Sequence, residues 1–490
     1  MEFHFPKTQM GSSLVRRSLC YLAPVGLLIL LGCARSPKGQ HENLPLTVPS
    51  AYSQTPPTEQ ASPLSWLNDF DDPMLRQMVA EAQQANYDRQ AAAARLEAVI
   101  ANQKRVQAGR LPTLNGTFSG VRQKNNFQNL AGSIGTRIFD NFNFNARVAW
   151  EIDLWAKIKN RTQAAIADIE TEQANYRAFQ FSLAANTLRS WFDAVEFELQ
   201  LQLATKTLAV FQQNLEVVEA SFERGLPNRA LDVRLTRANV ENARGTVALR
   251  RRQRDAAIRA IETLLGRYPS GNLVIQTTLP PLTTAVPPGL PSELLHRRPD
   301  LISAERRLAS TSERVKIARK DLLPTLSLSS STGTSTGELK DILDPDLLIW
   351  NLAGNATQPL FQGGRLIAGI QAATADHEEA LANYAQRALN AFQEVETLLA
   401  AEGFLRDELA ASESAASESV AGEALAWQQY QRGLVDIITV LESQRRAFSA
   451  QSTLLSVVNR RLANRINLYL ALGGGFEEPP PSEPTVDSQE

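Results

Sequence analysis

The hydrophobic pattern of the chain changes period in a set order, and it does so twice. From Asn141 to Leu154 apolar residues hold every even position (Phe142, Phe144, Ala146, Val148, Trp150, Ile152 and Leu154), with mostly polar residues between them. A period of two predicts a strand with one greasy and one wet face, about the length needed to cross a bilayer at a tilt. Thr113 to Gly120 predicts its antiparallel partner across a polar, Gly-containing loop. In the second half, Thr325 to Gly333 and Trp350 to Leu360 predict a weaker version of the same hairpin. Both hairpins open on Leu-Pro-Thr-Leu, at Leu111 to Leu114 and at Leu323 to Leu326.

After the first hairpin the period becomes helical. Ile166, Ile169, Tyr176, Phe179, Leu183, Leu188, Trp191 and Val195 are spaced by three, four or seven, the pattern of a helix packed coiled-coil fashion against neighbours. No proline occurs between Thr113 and Leu226 and no glycine from Ala156 to Arg224. A continuous helix of roughly 65 residues follows, about 100 Å long, and such a rod needs partner helices along its whole length. It ends in an Arg-Gly-Leu tip, Arg224-Gly225-Leu226, which recurs as Arg432-Gly433-Leu434. The two halves close on Leu265-Gly266 and Leu472-Gly473. Asp72-Pro73 predicts the start of a helix running to about Ala108, and Arg297-Arg298-Pro299-Asp300 predicts another start. The expectation is an internal duplication: repeat 1 over 64–266 with a hairpin at about 111–154 and a tip at about 224–232, and repeat 2 over 292–475 with a hairpin at about 323–361 and a tip at about 432–442. A linker at 267–291 joins them, and a Pro-rich acidic tail at 476–490 is expected to be disordered.

The first residues change the picture from a rod to an envelope protein. Lys7, Arg16 and Arg17 precede an apolar run from Tyr21 to Leu31 that is too short to span a bilayer, the layout of a secretory signal over residues 1–32. The run ends Leu30-Leu31-Gly32-Cys33, which has the form of a bacterial lipobox, so Cys33 is expected to carry a thioether-linked diacylglyceryl group and to become the acylated mature N-terminus. Each buried CH₂ of the acyl chains contributes about 0.8 kcal/mol to anchoring in outer-membrane lipid. Ala34 is permissive for outer-membrane delivery. Cys20 leaves with the signal, so the mature chain can form no internal disulfide and no Cys metal site. Residues 33–63 form the lipidated N-terminus and a Ser-, Pro-, Gln- and Thr-rich linker, expected to serve as a tether or an extended wrap against the folded body.

Net charge is −2 for the full chain and moves to about −4 when one acid and three bases leave with the signal, which is no nucleic-acid footprint. Four His, one of them in the signal, no His-x-x-x-His, no Gly-rich phosphate loop and no Gly-x-Ser-x-Gly speak against an enzyme. No cofactor is expected beyond the covalent lipid, and no metal site. Four membrane strands raise a further requirement. A sheet in lipid must close on itself and bacterial barrels begin at about eight strands, so several copies must contribute their strands to one barrel.

These residues resemble the outer-membrane efflux protein family, the TolC-like channels, and within it the lipoprotein branch serving resistance-nodulation-division pumps. The resemblance covers Trp66 to Gly475. It rests on Trp66, Phe70, Asp72-Pro73 and Leu75; on Trp150-Glu151-Ile152-Asp153-Leu154-Trp155; and on Arg297-Arg298-Pro299-Asp300-Leu301. Gln358-Pro359-Leu360-Phe361, Gly363-Gly364-Arg365, Tyr430 with Gly433, and Leu468-Tyr469 with Ala471 to Gly475 complete it. The resemblance implies a mainly α fold with membrane β-hairpins, assembled as a homotrimer whose twelve strands form an outer-membrane barrel continued by a long periplasmic α-helical barrel. A mixed equatorial region, including Arg267 to Pro291, would belt it. The resemblance also implies a passive, gated conduit for small molecules such as drugs or solvents, partnered by a periplasmic adaptor protein and an inner-membrane resistance-nodulation-division pump.

By the same resemblance, Arg224, Gly225, Leu226, Gly433 and Leu434 are candidates for adaptor docking, and Asp232, Tyr430, Arg432, Asp436 and Glu442 for the closed gate. Many relatives place an inward acid where this chain has Thr439, which leaves Asp436 or Glu442 as substitutes. Exposed ion pairs are weak enough for a partner to break, as a bistable gate requires. Two other readings stand beside this one: the conduit of a type I protein secretion system, and a lipid-tethered periplasmic rod.

Overall fold

A computed structural model describes residues 35–41, 44–46, 48–53, 69–70, 73–128, 134–224, 229–282, 286–287, 289 and 291–474 of the chain. Cys33, Gly225, Leu226 and the tail lie outside the described residues. The elements follow the order α1 (Pro73–Ala85), α2 (Tyr87–Ala108), β1 (Thr113–Gln128), β2 (Ile134–Ile152), α3 (Lys157–Glu223) and α4 (Arg229–Leu264). The order then recurs as α5 (Pro291–Arg297), α6 (Pro299–Lys320), β3 (Thr325–Thr336), β4 (Leu348–Thr357), α7 (Arg365–Gln431) and α8 (Ile437–Ala471). α3 and α7 each have 67 residues, and α4 and α8 have 36 and 35.

The described residues fall into two units, one drawn from 35–38, 102–167 and 309–377, the other from 39–101, 168–308 and 378–474. The first holds a single antiparallel sheet in the order β1-β2-β3-β4. Its register sorts the residues by parity. Phe118 pairs Phe144, which pairs Thr334, which pairs Leu348; Leu114, Val148, Ser330 and Leu352 form another row, and Trp150, Leu328 and Gly354 a third. Even positions therefore share one face, and Asn115, Arg147, Ser331 and Asn351 lie in a row on the other. The greasy face is bare: Phe118 is 60% exposed, Leu352 64% and Trp350 77%. β2 and β3 approach so closely that a Cβ on Gly333 would lie 2.0 Å from the Phe144 carbonyl oxygen, which only glycine avoids.

The turn from β2 into α3 explains the Trp-Glu-Ile-Asp-Leu-Trp run. Asp153 accepts the Ile158 N–H at 2.9 Å and the Lys159 N–H at 2.7 Å, meeting two of the donors that a helix start leaves unpaired. Trp150 and Trp155 donate their indole N–H groups to the Arg110 and Pro324 carbonyls at 2.9 and 2.7 Å. The two tryptophans thus tie the strand end to the entries of both hairpins.

In the second unit the main core joins Phe70, Leu75 and Ala82 near α1 with Leu188, Trp191 and Phe192 of α3, Ile258 and Ile261 of α4, and Ile466 and Tyr469 of α8. Leu273, Ile275, Leu279 and Leu282 of the linker pack against it. The Glu262 carboxylate accepts from Ser270 Oγ, Gly271 N and Asn272 N at 3.0, 2.7 and 3.1 Å, pinning the linker to α4. No strand forms among the described linker residues. Arg298, at the start of α6, bonds Asp300 at 3.0 Å, Glu394 of α7 at 2.7 Å and the Ala471 carbonyl at the end of α8 at 3.0 Å. A cation there complements the C-terminal pole of α8.

Candidate functional site

All four long helices meet at one apolar cluster, built from Val218 of α3, Val233 of α4, Ala426 and Tyr430 of α7, and Ile437 and Val440 of α8. Trp427 packs against it and stacks on Tyr430 with ring centres 5.7 Å apart. Tyr430 is 5% exposed and donates its hydroxyl to Asp232 Oδ2 at 3.1 Å, the partner that a buried phenol requires. Asp232 stands in the first turn of α4, where a carboxylate also complements the helix dipole.

The turn from α7 to α8 is built for close reversal. The Gly433 N–H bonds the Tyr430 carbonyl and the Leu434 N–H bonds the Gln429 carbonyl, both at 2.9 Å, a paired closure that needs a left-handed residue. Gly433 supplies it with φ of +73°. Asp436 then caps α8, accepting the Thr439 N–H at 2.9 Å and its hydroxyl at 2.7 Å. Those two donors hold the Asp436 carboxyl below the usual carboxylate range. Glu442 receives Arg445 at 3.1 Å and stands 3.6 Å from Arg446, and the Arg445 hydrogen bond likewise depresses its pKa.

Asp436 and Glu442 therefore bond within their own helix. Among the described residues, polar contacts that join different helices at the tip include Tyr430 to Asp232, from α7 to α4, and Arg237 to Glu219, from α4 to α3, at 2.7 Å. Arg224 and Arg432 lie exposed at the ends of α3 and α7, and Leu434 is exposed beside Gly433. Trp427 and the Arg237–Glu219 pair were not among the sequence candidates; Trp427 precedes Tyr430 by three residues, the spacing of one helix face.

A second feature lies toward the N-terminal end of the described residues. Residues 39–41, 44–46 and 48–53 lie as a strap on the helices of the second unit: Tyr52 is buried with Leu294, Leu301 and Leu472, and Leu44, Leu46 and Val48 pack around them. Gln40 N bonds Glu305, and Ser53 bonds Glu396 through its N–H at 2.9 Å and its hydroxyl at 2.6 Å. His41 Nδ1 lies 3.0 Å from the Tyr384 hydroxyl, and its ring meets that of His296 edge-on at 4.5 Å. Burial lowers the His41 pKa, and His296 and Arg306 lower it further against the opposing pull of Glu305. A depressed folded-state value means that the unfolded chain binds more protons, so the His41 contribution is complete above about pH 6.5 and is lost as pH falls through the folded value. Amide exchange of residues 39–53 is expected to quicken between pH 7.5 and pH 5. In His41→Gln this pH response should flatten; an unchanged response would assign it to another group.

An open, one-sided greasy sheet of four strands, carried with paired 67-residue helices that end in a four-helix tip, defines an outer-membrane channel subunit of the efflux type. The chain belongs to the outer membrane efflux protein family, whose model matches residues 78–267 and 290–474. It is 30% identical over 466 residues to the cation efflux system protein CusC of Escherichia coli strain K12, covering 94% of this chain and 100% of the relative. It is 31% identical over 464 residues to the solvent efflux pump outer membrane protein SrpC of Pseudomonas putida, covering 92% and 97%. Among solved structures it matches the outer-membrane channel OprN with a TM-score of 0.81 at 27% identity, over 90% of this chain and 99% of that one. The protein is thus an outer-membrane channel component of an efflux system that extends into the periplasm.

Proposed function

We propose that three copies of the chain close one barrel of twelve strands in the outer membrane and continue it as an α-helical conduit through the periplasm. The observation that carries this reading is the open sheet. The outer edges of β1 and β4 have no strand partner among the described residues, while Phe118, Phe144, Leu348 and Leu352 on the greasy face lie exposed. Unpaired backbone groups in hydrocarbon cost several kcal/mol each, so β1 of one copy must pair with β4 of the next. The two matched stretches of the family model fall on the two runs of helices and strands, which supports a chain of two repeats, 64–266 and 292–475, between a signal and lipidated linker and a short tail.

In this reading Cys33 carries the lipid and the channel performs no catalysis. A periplasmic adaptor docks at Arg224 to Leu226 and at Gly433-Leu434, and an inner-membrane pump of the resistance-nodulation-division class supplies the energy. The exported cargo is a small molecule; relatives are named for cation and for solvent efflux. The four-helix cluster with its Tyr430–Asp232 bond holds the tip closed in each protomer. Asp436 shapes the gate by fixing the start of α8, and Arg432 and Glu442 face what assembles there. The native mass of protein extracted from the outer-membrane fraction tests the assembly: a lipidated trimer is expected, and a stable monomer in mild detergent would refute the shared barrel. Gating is tested in planar bilayers. Tyr430→Phe, which removes only the hydroxyl, is expected to raise the open probability by about tenfold if the lost bond is worth about 1.4 kcal/mol in the closed state alone. An open probability equal to that of the parent would remove Tyr430 from the gate.

A further inference from the structure

The wet face of the sheet carries little charge. Over residues 113–121, 141–151, 325–335 and 349–357 its odd-numbered positions are mostly Asn, Ser, Thr and Ala, and the charged ones are Arg147 and Glu151 of β2. Arg147 pairs Asn115 on one side and Ser331 on the other, with Asn351 next in the row, and neither this row nor the two beside it holds an acid. Glu151 stands four residues further along β2, about 13 Å away at strand spacing. An arginine kept to support the ladder pairs across it, as Arg122 does with Asp140 at 3.5 Å. Arg147 is exposed and faces amides and hydroxyls instead, and an arginine does not shed its charge. It stands between Ala146 and Val148 of the greasy face, at the depth of the apolar rows.

We propose that Arg147 selects cargo by charge: its three copies form a ring of positive charge inside the barrel that favours anionic and neutral solutes and holds back cations. The ring rests on the shared barrel proposed above, in which the wet face lines the lumen. Twelve strands about 4.8 Å apart and tilted by about 40° enclose a backbone radius of about 12 Å, and an arginine side chain reaches well toward the axis of such a lumen. Salt screens charge over about 10 Å at 0.1 M, so the three guanidiniums act together on the axis, whereas Glu151 lies outside that range. Hydrocarbon around the barrel at this depth is a low-dielectric wall and confines the field to the lumen. Rings of arginine or lysine favour anions in pores by the same means. The cargo this ring fits is a small molecule that carries a carboxylate, sulfonate or phosphate group, or no charge.

A thiol beside Arg147 reads the potential there whether or not the conduit conducts. Cys20 leaves with the signal and Cys33 is expected to be lipidated, so Asn115→Cys in the detergent-purified full-length protein presents one free thiol in the Arg147 row. Its rates of reaction with a sulfonate-bearing and a trimethylammonium-bearing methanethiosulfonate are compared, because the ratio cancels the reactivity of the thiol itself. At low ionic strength the anion-to-cation rate ratio is expected to fall by about tenfold when Arg147→Gln is added, and in about 1 M salt the two proteins should converge. Arg147→Lys keeps the charge and should keep most of the ratio. A ratio unchanged by Arg147→Gln in a protein of trimeric native mass would overturn the ring, and so would a drop in Arg147→Lys as large as that in Arg147→Gln. A monomeric native mass would instead remove the shared barrel itself, and the ring with it.

Discussion

Phe144→Arg is expected to prevent insertion of the sheet, whereas Asn143→Arg, one residue away, should assemble almost as the parent does. Phe144 lies in the middle of the greasy face, in the row with Phe118 and Leu348. Asn143 points to the opposite face, paired to Ser119 and Ser335. An Arg on the lipid side at the bilayer midplane costs about 2–4 kcal/mol, and three copies in one barrel would incur that cost three times. On the wet side the same side chain stays hydrated. The measurement is the amount of each variant recovered as the outer-membrane oligomer relative to total protein. Equal recovery of both variants would mean that the even face does not meet lipid, and loss of both would mean that the sheet tolerates no charge on either side.

The alternation behind this contrast is legible in the sequence, but only part of the sheet is. The alternation from Asn141 to Leu154 marks β2 because greasy and polar residues take turns strictly there. β1 continues to Gln128 through Arg122, Gln123, Lys124, Asn125 and Asn126, where both faces are polar and period two leaves no trace. Those residues are held in the strand by their ladder with β2 and by the Arg122–Asp140 pair at 3.5 Å, which are partners in space and not in pattern. β4 ends at Thr357, short of the expected Leu360, because the Gln358 amide turns to the Leu322 carbonyl at 2.9 Å and Pro359 has no N–H for the ladder.

Absence of Pro and Gly foretold α3 nearly to its full length, since nothing in that stretch interrupts a helix. The helix expected from residue 72 to 108 is instead broken at Asn86. Its Oδ1 accepts the Arg89 N–H at 3.1 Å, as a cap does, while its Nδ2 reaches the Leu264 carbonyl at 3.0 Å at the end of α4. A local capping residue was there to be seen, but the distant carbonyl that holds it was not. At the tips the pairing of the candidate residues is not legible in the sequence. Asp232 and Tyr430 are 198 residues apart, and Asp436 and Glu442 are satisfied by Thr439 and Arg445 close by in sequence.

Arg465→Leu is expected to be the most damaging single change in the helical unit. The guanidinium is 3% exposed and reaches Glu402 of α7 through Nη2 at 2.8 Å and Nε at 3.4 Å, with Asp69 4.0 Å away. Asn464 adds its amide to Glu402 at 2.9 Å, and Tyr469 donates to Asp69, so two carboxylates are organised around one cation. Burial already raises the Asp69 pKa, and Arg465 is what pulls it back. Removing the cation leaves Glu402 and Asp69 partly buried and uncompensated, a loss of about 3–5 kcal/mol. Arg465→Lys keeps the charge but not the two-pronged fork and should lose less. The sign of the pH response separates this cause from simple cavity formation. Without Arg465 the Asp69 carboxyl, which burial already raises, shifts to a still higher folded-state pKa, so the folded variant binds more protons than its unfolded chain and its deficit shrinks as pH falls toward the carboxylate range. Denaturant unfolding of the detergent-purified variants at pH 7.5 and pH 5 measures this directly. In the double variant Arg465→Leu with Glu402→Leu, much of the lost stability should return, because an apolar pair can replace a buried ion pair of similar shape. A deficit that is independent of pH and undiminished in the double variant would mean that packing of the arginine stem, and not its charge, holds α7 to α8 at this point.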